Sequence, residues 1–211
     1  MTKLIFVRHG YSEYNQLKKF TGHLDIPLAT LGKEQAEVTT KYVQSAYKID
    51  AVYSSDLSRA VQTAQPVATA LGLPIVTDER LRELHLGVWT DMYIAEVKEK
   101  YPAEWEVYQN GGRCLGGESE QELQIRAVQA VREIAQKNEG KMVLITTHGG
   151  TLRAILRYCY QSAGEDENLA PIATNNSVTE IHYTNGEFRI VKVSYDEFLN
   201  ELRIEQENVL N

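Results

Sequence analysis

Leu4-Ile5-Phe6-Val7-Arg8-His9-Gly10 is an apolar run that leads directly into an arginine, a histidine and a glycine. An unbroken apolar run of this length predicts a strand that is buried on both faces, as in a parallel sheet. Residues 142–145 form a second such run, and it leads into Thr147-His148-Gly149-Gly150. Because ligands bind beyond the carboxyl ends of strands in open α/β sheets, we expect the two histidines to meet over one crevice.

Helical patterns separate these strands along the chain. One-sided apolar stripes predict helices over residues 57–71 and 119–136, and a further helix is expected from about residue 30 to 47. Shorter apolar runs at 51–53 and 74–76 are weaker strand candidates. This alternation predicts an α/β fold with three layers, α/β/α, around a mostly parallel sheet.

The remaining segments complete a predicted single domain over residues 1–211. Asn185-Gly186 is a turn signal between two β-rich stretches, so a C-terminal hairpin should add at least one antiparallel strand. Residues 85–117 are irregular and rich in aromatic residues and glycine, and are interpreted as an inserted lid or specificity segment. Residues 195–211 hold five carboxylates against one arginine and are interpreted as an acidic C-terminal tail, solvated or frayed.

The composition narrows the function classes. The chain has 211 residues, of which 43% are hydrophobic and 24% charged, which is typical of a globular protein with a real core. Its net charge of −7 argues against a nucleic-acid partner, because phosphate backbones bind basic surfaces. The sequence shows neither a leader pattern nor an apolar stretch of membrane-spanning length, so a cytoplasmic protein without a membrane partner is expected. Cys114 and Cys159 lie far apart and predict neither a disulfide scaffold nor a zinc ribbon.

Arg59 is the next candidate for chemistry. The predicted strand 51–53 leads through Ser54-Ser55-Asp56 into the helix that carries it, and Ser55 or Asp56 is the expected cap. An arginine in the first helical turn opposes the helix dipole, so its position favours an anionic ligand. Two guanidinium groups beside imidazoles predict a phosphate pocket rather than a metal site, and neither a metal nor a cofactor is expected.

Seven sequence blocks resemble the histidine phosphatase superfamily, in the branch that contains phosphoglycerate mutases and small-molecule phosphatases. The resemblance extends over most of the chain, and the blocks occur in the family's order. They are 4–15 (LIFVRHGYSEYN), 21–28 (TGHLDIPL), 31–36 (LGKEQA), 54–64 (SSDLSRAVQTA), 81–89 (LRELHLGVW), 116–119 (GGES) and 147–150 (THGG). The resemblance implies a phosphoglycerate mutase-like fold and an enzyme that acts on a small phosphorylated metabolite.

The resemblance also implies roles for individual residues. His9 would be the nucleophile that accepts the phosphoryl group, and Glu83 would exchange a proton with the leaving oxygen. Arg8, Arg59 and His148 would hold the phosphoryl oxygens. The positions assigned to the phosphate or substrate pocket are Asn15, Thr21, Gly22 and Gly149.

These roles are chemically coherent. A neutral imidazole can form a covalent intermediate that divides one difficult displacement into two easier ones. Arginines offset the charge of the phosphoryl group, and an acid protonates the leaving oxygen. Because Glu83 must act first as an acid and then as a base, an acidic to neutral pH optimum is expected.

The sequence departs from the family pattern at several points that bear on substrate choice. Tyr11 follows Arg-His-Gly where Glu or Gln is common, and Thr90-Asp91 follows Trp89 where Glu-Gly is frequent. The stretch 83–118 is short and lacks the adjacent arginines with which glycolytic mutases handle a second phosphate. A metal-independent phosphatase is therefore favoured. The alternatives are a mutase-type phosphotransferase, a non-catalytic phosphate-binding regulatory domain and a metal hydrolase.

Four other polar residues have ordinary structural interpretations. His23 could either line the pocket mouth or cap a turn, whereas His85 and His182 are interpreted as structural. Glu118 could orient a site arginine or could simply be a carboxylate near the start of a helix.

Overall fold

Six strands form one sheet in the computed structural model, which describes residues 1–203. In chain order they are β1 (Thr2–Arg8), β2 (Ala51–Ser54), β3 (Ile75–Thr77), β4 (Met142–Thr147), β5 (Val178–Thr184) and β6 (Glu187–Tyr195). Their order across the sheet is β3-β2-β4-β1-β5-β6. The pairs β1–β4, β2–β4 and β2–β3 are parallel, whereas β1–β5 and β5–β6 are antiparallel. The predicted mostly parallel sheet with a C-terminal hairpin is confirmed.

The helices connect these strands and cover the sheet. They are α1 (Glu13–Leu17), α2 (Thr30–Ala46), α3 (Ser58–Leu71), α4 (Ile94–Lys100), α5 (Pro102–Gln109), α6 (Glu120–Lys137) and α7 (Gly149–Ser162). Short 3₁₀ turns occur at Glu79–Leu81, Gly87–Trp89, Glu167–Leu169 and Glu197–Leu202. The three predicted helices correspond to α2, α3 and α6. Among residues 1–203, the longest helices are too short or too polar to cross a membrane.

Strand β1 shows why its sequence is apolar without alternation. Leu4 and Phe6 belong to the core cluster under α6 and α7, whereas Ile5 and Val7 belong to the cluster under α2 and α3. All four side chains are at most 1% exposed. Helices therefore cover both faces of the sheet, as the predicted three-layer architecture requires.

The start of α3 differs from the expectation. Its N-cap is Leu57, whose side chain cannot cap, and neither Ser55 nor Asp56 takes that role for the first turn. Instead the Asp25 carboxylate accepts hydrogen bonds from the backbone N–H and the hydroxyl of Ser58, each at 2.7 Å. Asp56 forms an ion pair with Arg82. A cap from a distant loop leaves no local pattern, and here it fixes the loop against the helix that carries Arg59.

The segment 85–117 holds α4, α5 and a cluster of aromatic side chains. Trp89, Trp105 and Tyr108 pack on one another and on Phe20, with ring centroids 5.3–6.2 Å apart. Trp89 is fully buried. The aromatic residues of this segment therefore form a small core of their own, and its role as a lid stays a prediction.

The acidic segment 195–211 is described only as far as residue 203, so the prediction for 204–211 lies outside the described residues. Within the described part, Asp196 is buried and accepts hydrogen bonds from Thr174 and Arg203. Leu199 is buried as well. This part is anchored to the domain rather than solvated.

Candidate active site

His9 and His148 follow the carboxyl ends of the neighbouring parallel strands β1 and β4. Their rings are 5.1 Å apart between centroids and inclined by 62°. Both side chains are buried, with 5% and 0% exposed. The backbone N–H of His9 donates to the carbonyl of Thr147 at 2.8 Å, which continues the sheet ladder into the site. The structure thus brings the two predicted histidines together over one sheet edge.

The hydrogen bond of His9 defines which ring nitrogen can react. Its Nδ1 lies 2.8 Å from the carbonyl oxygen of Gly10. Because a carbonyl can only accept, Nδ1 carries the proton in the neutral ring and Nε2 keeps a lone pair. Burial, followed by the charges of Arg59 and Arg8, holds the pKa of His9 well below its ordinary value. At neutral pH the ring is therefore uncharged, with a free lone pair on Nε2.

His148 is held by a residue that the sequence interpretation assigned only as a helix cap. Its Nε2 lies 2.9 Å from Oγ of Ser55, at the end of β2. Its Nδ1 is buried and has no hydrogen-bond partner among the described residues, so this atom is left for a ligand. Burial, reinforced by the charge of Arg59, holds the pKa of His148 well below its ordinary value.

Arg8 and Arg59 carry positive charge into this buried site. Arg59 donates from Nη1 and Nη2 to the carbonyls of Leu24 and Gly22, each at 2.9 Å, and Arg8 donates to the carbonyl of Ala173. Burial lowers the pKa of both guanidinium groups to about 10, so they remain charged at neutral pH. Within residues 1–203 neither forms an ion pair. Two buried charges that are oriented only by carbonyls form a pocket for an anion.

Two glycines at the start of α7 allow this packing. A Cβ on Gly149 would lie 3.2 Å from Cζ of Arg8, so the absence of a side chain lets the guanidinium approach the helix. A Cβ on Gly150 would lie only 2.5 Å from Oε1 of Glu83. Gly22 and Gly149 are the two glycines predicted to line the pocket. The carbonyl of Gly22 accepts a hydrogen bond from Arg59, and the absence of a side chain on Gly149 makes space for Arg8.

Glu83 is oriented by two backbone N–H groups. Its Oε1 accepts from Leu84 at 2.8 Å and its Oε2 accepts from Gly150 at 3.1 Å. The charge of Glu83 raises the pKa of both Arg8 and Arg59, in opposition to their burial. The carboxylate is thus fixed at the edge of the arginine pocket.

The backbone that carries Glu83 rests on Arg126, which sequence reasoning did not select. Arg126 donates to the backbone carbonyls of residues 80, 82 and 83, each at 2.8 Å. Glu118 pairs with Arg126, and hydrogen bonds from Arg126 hold the pKa of Glu118 low although burial opposes this. Glu118 therefore orients an arginine, but this arginine is Arg126, which holds the backbone of Glu83, and not Arg8 or Arg59.

The other histidines have structural contacts. His23 Nε2 donates to the carbonyl of Glu83 at 2.8 Å, so it holds the same backbone, and its ring packs edge-on against His85. His182 lies on β5, where it pairs with Glu180. In the described part of the chain, no three His, Cys, Asp or Glu residues are grouped to hold a metal ion.

Asn15 and Thr21 lie in the loop regions around His9. Oδ1 of Asn15 accepts from the hydroxyl of Ser12 at 2.9 Å, as part of the cap of α1, and from Asn175 at 3.4 Å. Asn175 also donates to the carbonyl of His9 at 2.9 Å. The carbonyl of Thr21 accepts from Leu24 in the turn that presents the carbonyls to Arg59. Asn175 was not predicted, because it lies 166 residues from His9 in a loop without a recognisable motif.

Acidification is expected to destabilise the fold between about pH 6.5 and pH 5.5. In this window the unfolded chain protonates His9 and His148, which stay neutral in the fold because their pKa values are well below the ordinary value. The free energy of unfolding should therefore fall by up to about 1.4 kcal/mol per pH unit for each histidine. Above about pH 7 this dependence should vanish. Urea unfolding midpoints measured across the window would show it.

A double variant provides the control for this pH dependence. In His9→Gln/His148→Gln the slope should be much smaller, with a remainder from His23, whose pKa burial also lowers. Carboxylates with a lowered pKa, such as Asp56 and Glu118, respond only at more acidic pH. An unchanged slope in the double variant would show that the two site histidines are protonated in the folded protein.

Comparison with known proteins places this geometry in a family. The chain matches the model of the histidine phosphatase superfamily (branch 1) over residues 4–196. Phosphoserine phosphatase 1 of Hydrogenobacter thermophilus is 30% identical over 209 residues, covering 97% of this chain and 98% of the relative. Phosphoglycerate mutase-like protein 4 of Arabidopsis thaliana is 33% identical over 178 residues, covering 82% of this chain and 77% of the relative.

A solved structure shows the same fold. Bacillus stearothermophilus YhfR superposes with a TM-score of 0.87 at 30% identity, covering 95% of this chain and 100% of that one. The predicted phosphoglycerate mutase-like architecture is confirmed.

Proposed function

This chain belongs to branch 1 of the histidine phosphatase superfamily, and from that premise we propose that it hydrolyses a small phosphorylated metabolite through a phosphohistidine at His9. Phosphomonoesterase activity agrees with its relatives, several of which are phosphatases. The observation that carries the proposal is the Nδ1–H···O=C bond from His9 to Gly10, which leaves Nε2 unprotonated beside two buried arginines.

The first step transfers the phosphoryl group to the enzyme. Nε2 of His9 attacks phosphorus as the bond from phosphorus to the leaving oxygen breaks. Arg8, Arg59 and Nδ1 of His148 stabilise the charge on the phosphoryl oxygens. Glu83, protonated at this stage, gives its proton to the leaving oxygen, so the product departs as an alcohol. The Gly10 carbonyl stabilises the positive charge that the phosphorylated ring acquires.

The second step returns the enzyme to its starting state. A water molecule attacks phosphorus and the bond to Nε2 breaks, while the Glu83 carboxylate takes the proton of the water. The products are inorganic phosphate, neutral His9 and protonated Glu83. In this scheme the positive charge that a metal ion supplies in other phosphatases comes from the two guanidinium groups, so the reaction is proposed to be metal-independent.

The name of the relative from Hydrogenobacter thermophilus points to phosphoserine as a first substrate to test. Similarity to proteins named phosphoglycerate mutases favours a second candidate, transfer of the phosphoryl group back to a bound product. In both candidates His9 carries the phosphoryl group between substrate and acceptor.

The fate of the phosphoryl group tests the proposal. With ³²P-labelled phosphoserine and 3-phosphoglycerate, stoichiometric release of inorganic phosphate is expected. The rate of release should be unchanged by EDTA at about a hundredfold molar excess over the enzyme. Label that moves between the 2- and 3-hydroxyls of glycerate without release would support the mutase instead. Loss of activity in EDTA that Mg²⁺ or Zn²⁺ restores would overturn metal independence.

A further inference from the structure

Arg153 is an arginine without a partner in a partly buried position. It lies on α7, and its Nε is buried with no hydrogen-bond acceptor. Among residues 1–203 its side chain forms neither a hydrogen bond nor an ion pair. Arg157, one turn further along the same helix, also has a buried Nε without an acceptor, but its Nη1 and Nη2 pair with Glu120 and Glu167. Since Nε has lost its hydration without gaining an acceptor, the position of Arg153 favours an anionic ligand.

Arg153 lies on the same helix as Gly150, the residue that holds Glu83. It follows Gly150 by three residues, and residues three apart lie on one face of a helix. The backbone N–H of Gly150 holds the Glu83 carboxylate, so Arg153 is one turn further along the face that contacts Glu83. In the proposed reaction Glu83 protonates the leaving oxygen, and the leaving group therefore extends toward this face.

Tyr108, on α5, is the second residue that bears on this region. Its ring packs edge-on against Trp89 and Phe20, which fixes its direction. Burial raises the pKa of the Tyr108 hydroxyl, the charge of Glu83 raises it further, and the charge of Arg153 opposes them. The charges of Glu83 and Arg153 therefore act on the same hydroxyl, in opposite directions.

We propose that Arg153 and Tyr108 form a subsite that binds a carboxylate on the leaving group, so that the enzyme selects phosphomonoesters of small hydroxy acids. This inference rests on the proposed phosphatase function and specifies its substrate class. A guanidinium and a phenol together match a carboxylate, which accepts hydrogen bonds on two oxygens. A second phosphate fits less well, because its double negative charge would face Glu83 with only one arginine to balance it.

Matched substrates test the subsite. O-phosphoserine and O-phosphoethanolamine differ only by the carboxylate, as 3-phosphoglycerate and glycerol 3-phosphate differ by a carboxylate in place of a hydroxymethyl group. The wild type should prefer the acid of each pair in kcat/KM. Arg153→Gln should lower kcat/KM for the acids by about 10- to 100-fold and change it for their partners by less than about threefold. Tyr108→Phe should have a smaller effect in the same direction.

Arg157→Gln is the control, because it removes a charge one turn away on the same helix where ion pairs already occupy it. It should leave the preference intact. Equal losses on both members of a pair, or a wild type without preference for the acid, would overturn the subsite. Failure of the subsite can be distinguished from failure of the proposed phosphatase function. In the second case the wild type would hydrolyse neither the four substrates nor p-nitrophenyl phosphate.

Discussion

Replacement of His9 by alanine is expected to lower kcat/KM for p-nitrophenyl phosphate by at least about 10⁴-fold. The variant lacks the only atom that the proposed mechanism phosphorylates, Nε2, while the arginine pocket remains. The wild type quenched during turnover of ³²P-labelled substrate should carry an acid-labile, alkali-stable label, as expected for a phosphorus–nitrogen bond. The variant should carry none.

His182→Ala is the matched control for this experiment. It removes a histidine on β5 whose contact is with Glu180, so activity should stay within about threefold of the wild type. Thermal melting of both variants separates loss of chemistry from loss of fold. Hydrolysis that survives in a folded His9→Ala protein would show that His9 is not the phosphoryl acceptor.

Replacement of Glu83 by glutamine is expected to lower kcat/KM for phosphoserine by about 10²- to 10⁴-fold. Glutamine keeps the size of the side chain but cannot give a proton to an alkoxide. The loss on 2,4-dinitrophenyl phosphate should be much smaller in the first step, because that leaving group departs without a proton. Since the variant also lacks the base for water, phosphorylated enzyme should accumulate and appear as a burst of dinitrophenol.

Gly150→Ala tests the position of the same carboxylate without changing its chemistry. The new methyl group would lie 2.5 Å from Oε1 of Glu83 and must displace it. We expect about a tenfold lower kcat on phosphoserine, together with an unchanged or higher melting temperature, because alanine favours a helix over glycine by roughly 1 kcal/mol. Similar losses of kcat/KM, which reports the first step, on the alkyl and the dinitrophenyl ester in either variant would contradict the role of Glu83 as the acid of that step.

The sequence predicted the parts of this fold that have a local pattern. The apolar run of β1, the stripes of α3 and α6 and the Asn185-Gly186 turn all correspond to observed elements. The same holds for the placement of His9, His148 and Arg59, because each follows directly from the end of a strand or the start of a helix. The roles assigned to these residues stay predictions.

The supporting contacts could not be predicted in the same way. Asp25 caps a helix 33 residues away, and Asn175 reaches the backbone of His9 across 166 residues. Arg126 supports the backbone of Glu83 from the polar face of α6. The apolar stripe of that helix predicts which side is buried but not what its polar side chains contact. Such contacts depend on how loops meet after folding, and no periodicity or spacing along the chain records them.

The position of β1 inside the sheet has a consequence for biosynthesis. The strand that leads to His9 is synthesised before both of its neighbours, β4 and β5, because Lys3 pairs with Met142 and Val7 with Val178. A nascent chain on the ribosome cannot close this part of the sheet until β4 and β5 have emerged. Because such distant pairings slow folding, the segment that contains β1 should stay exposed to chaperones until both partner strands have been made. A chain released before β4 is made would therefore lack the assembled site around His9, even though it contains the Arg8-His9-Gly10 motif.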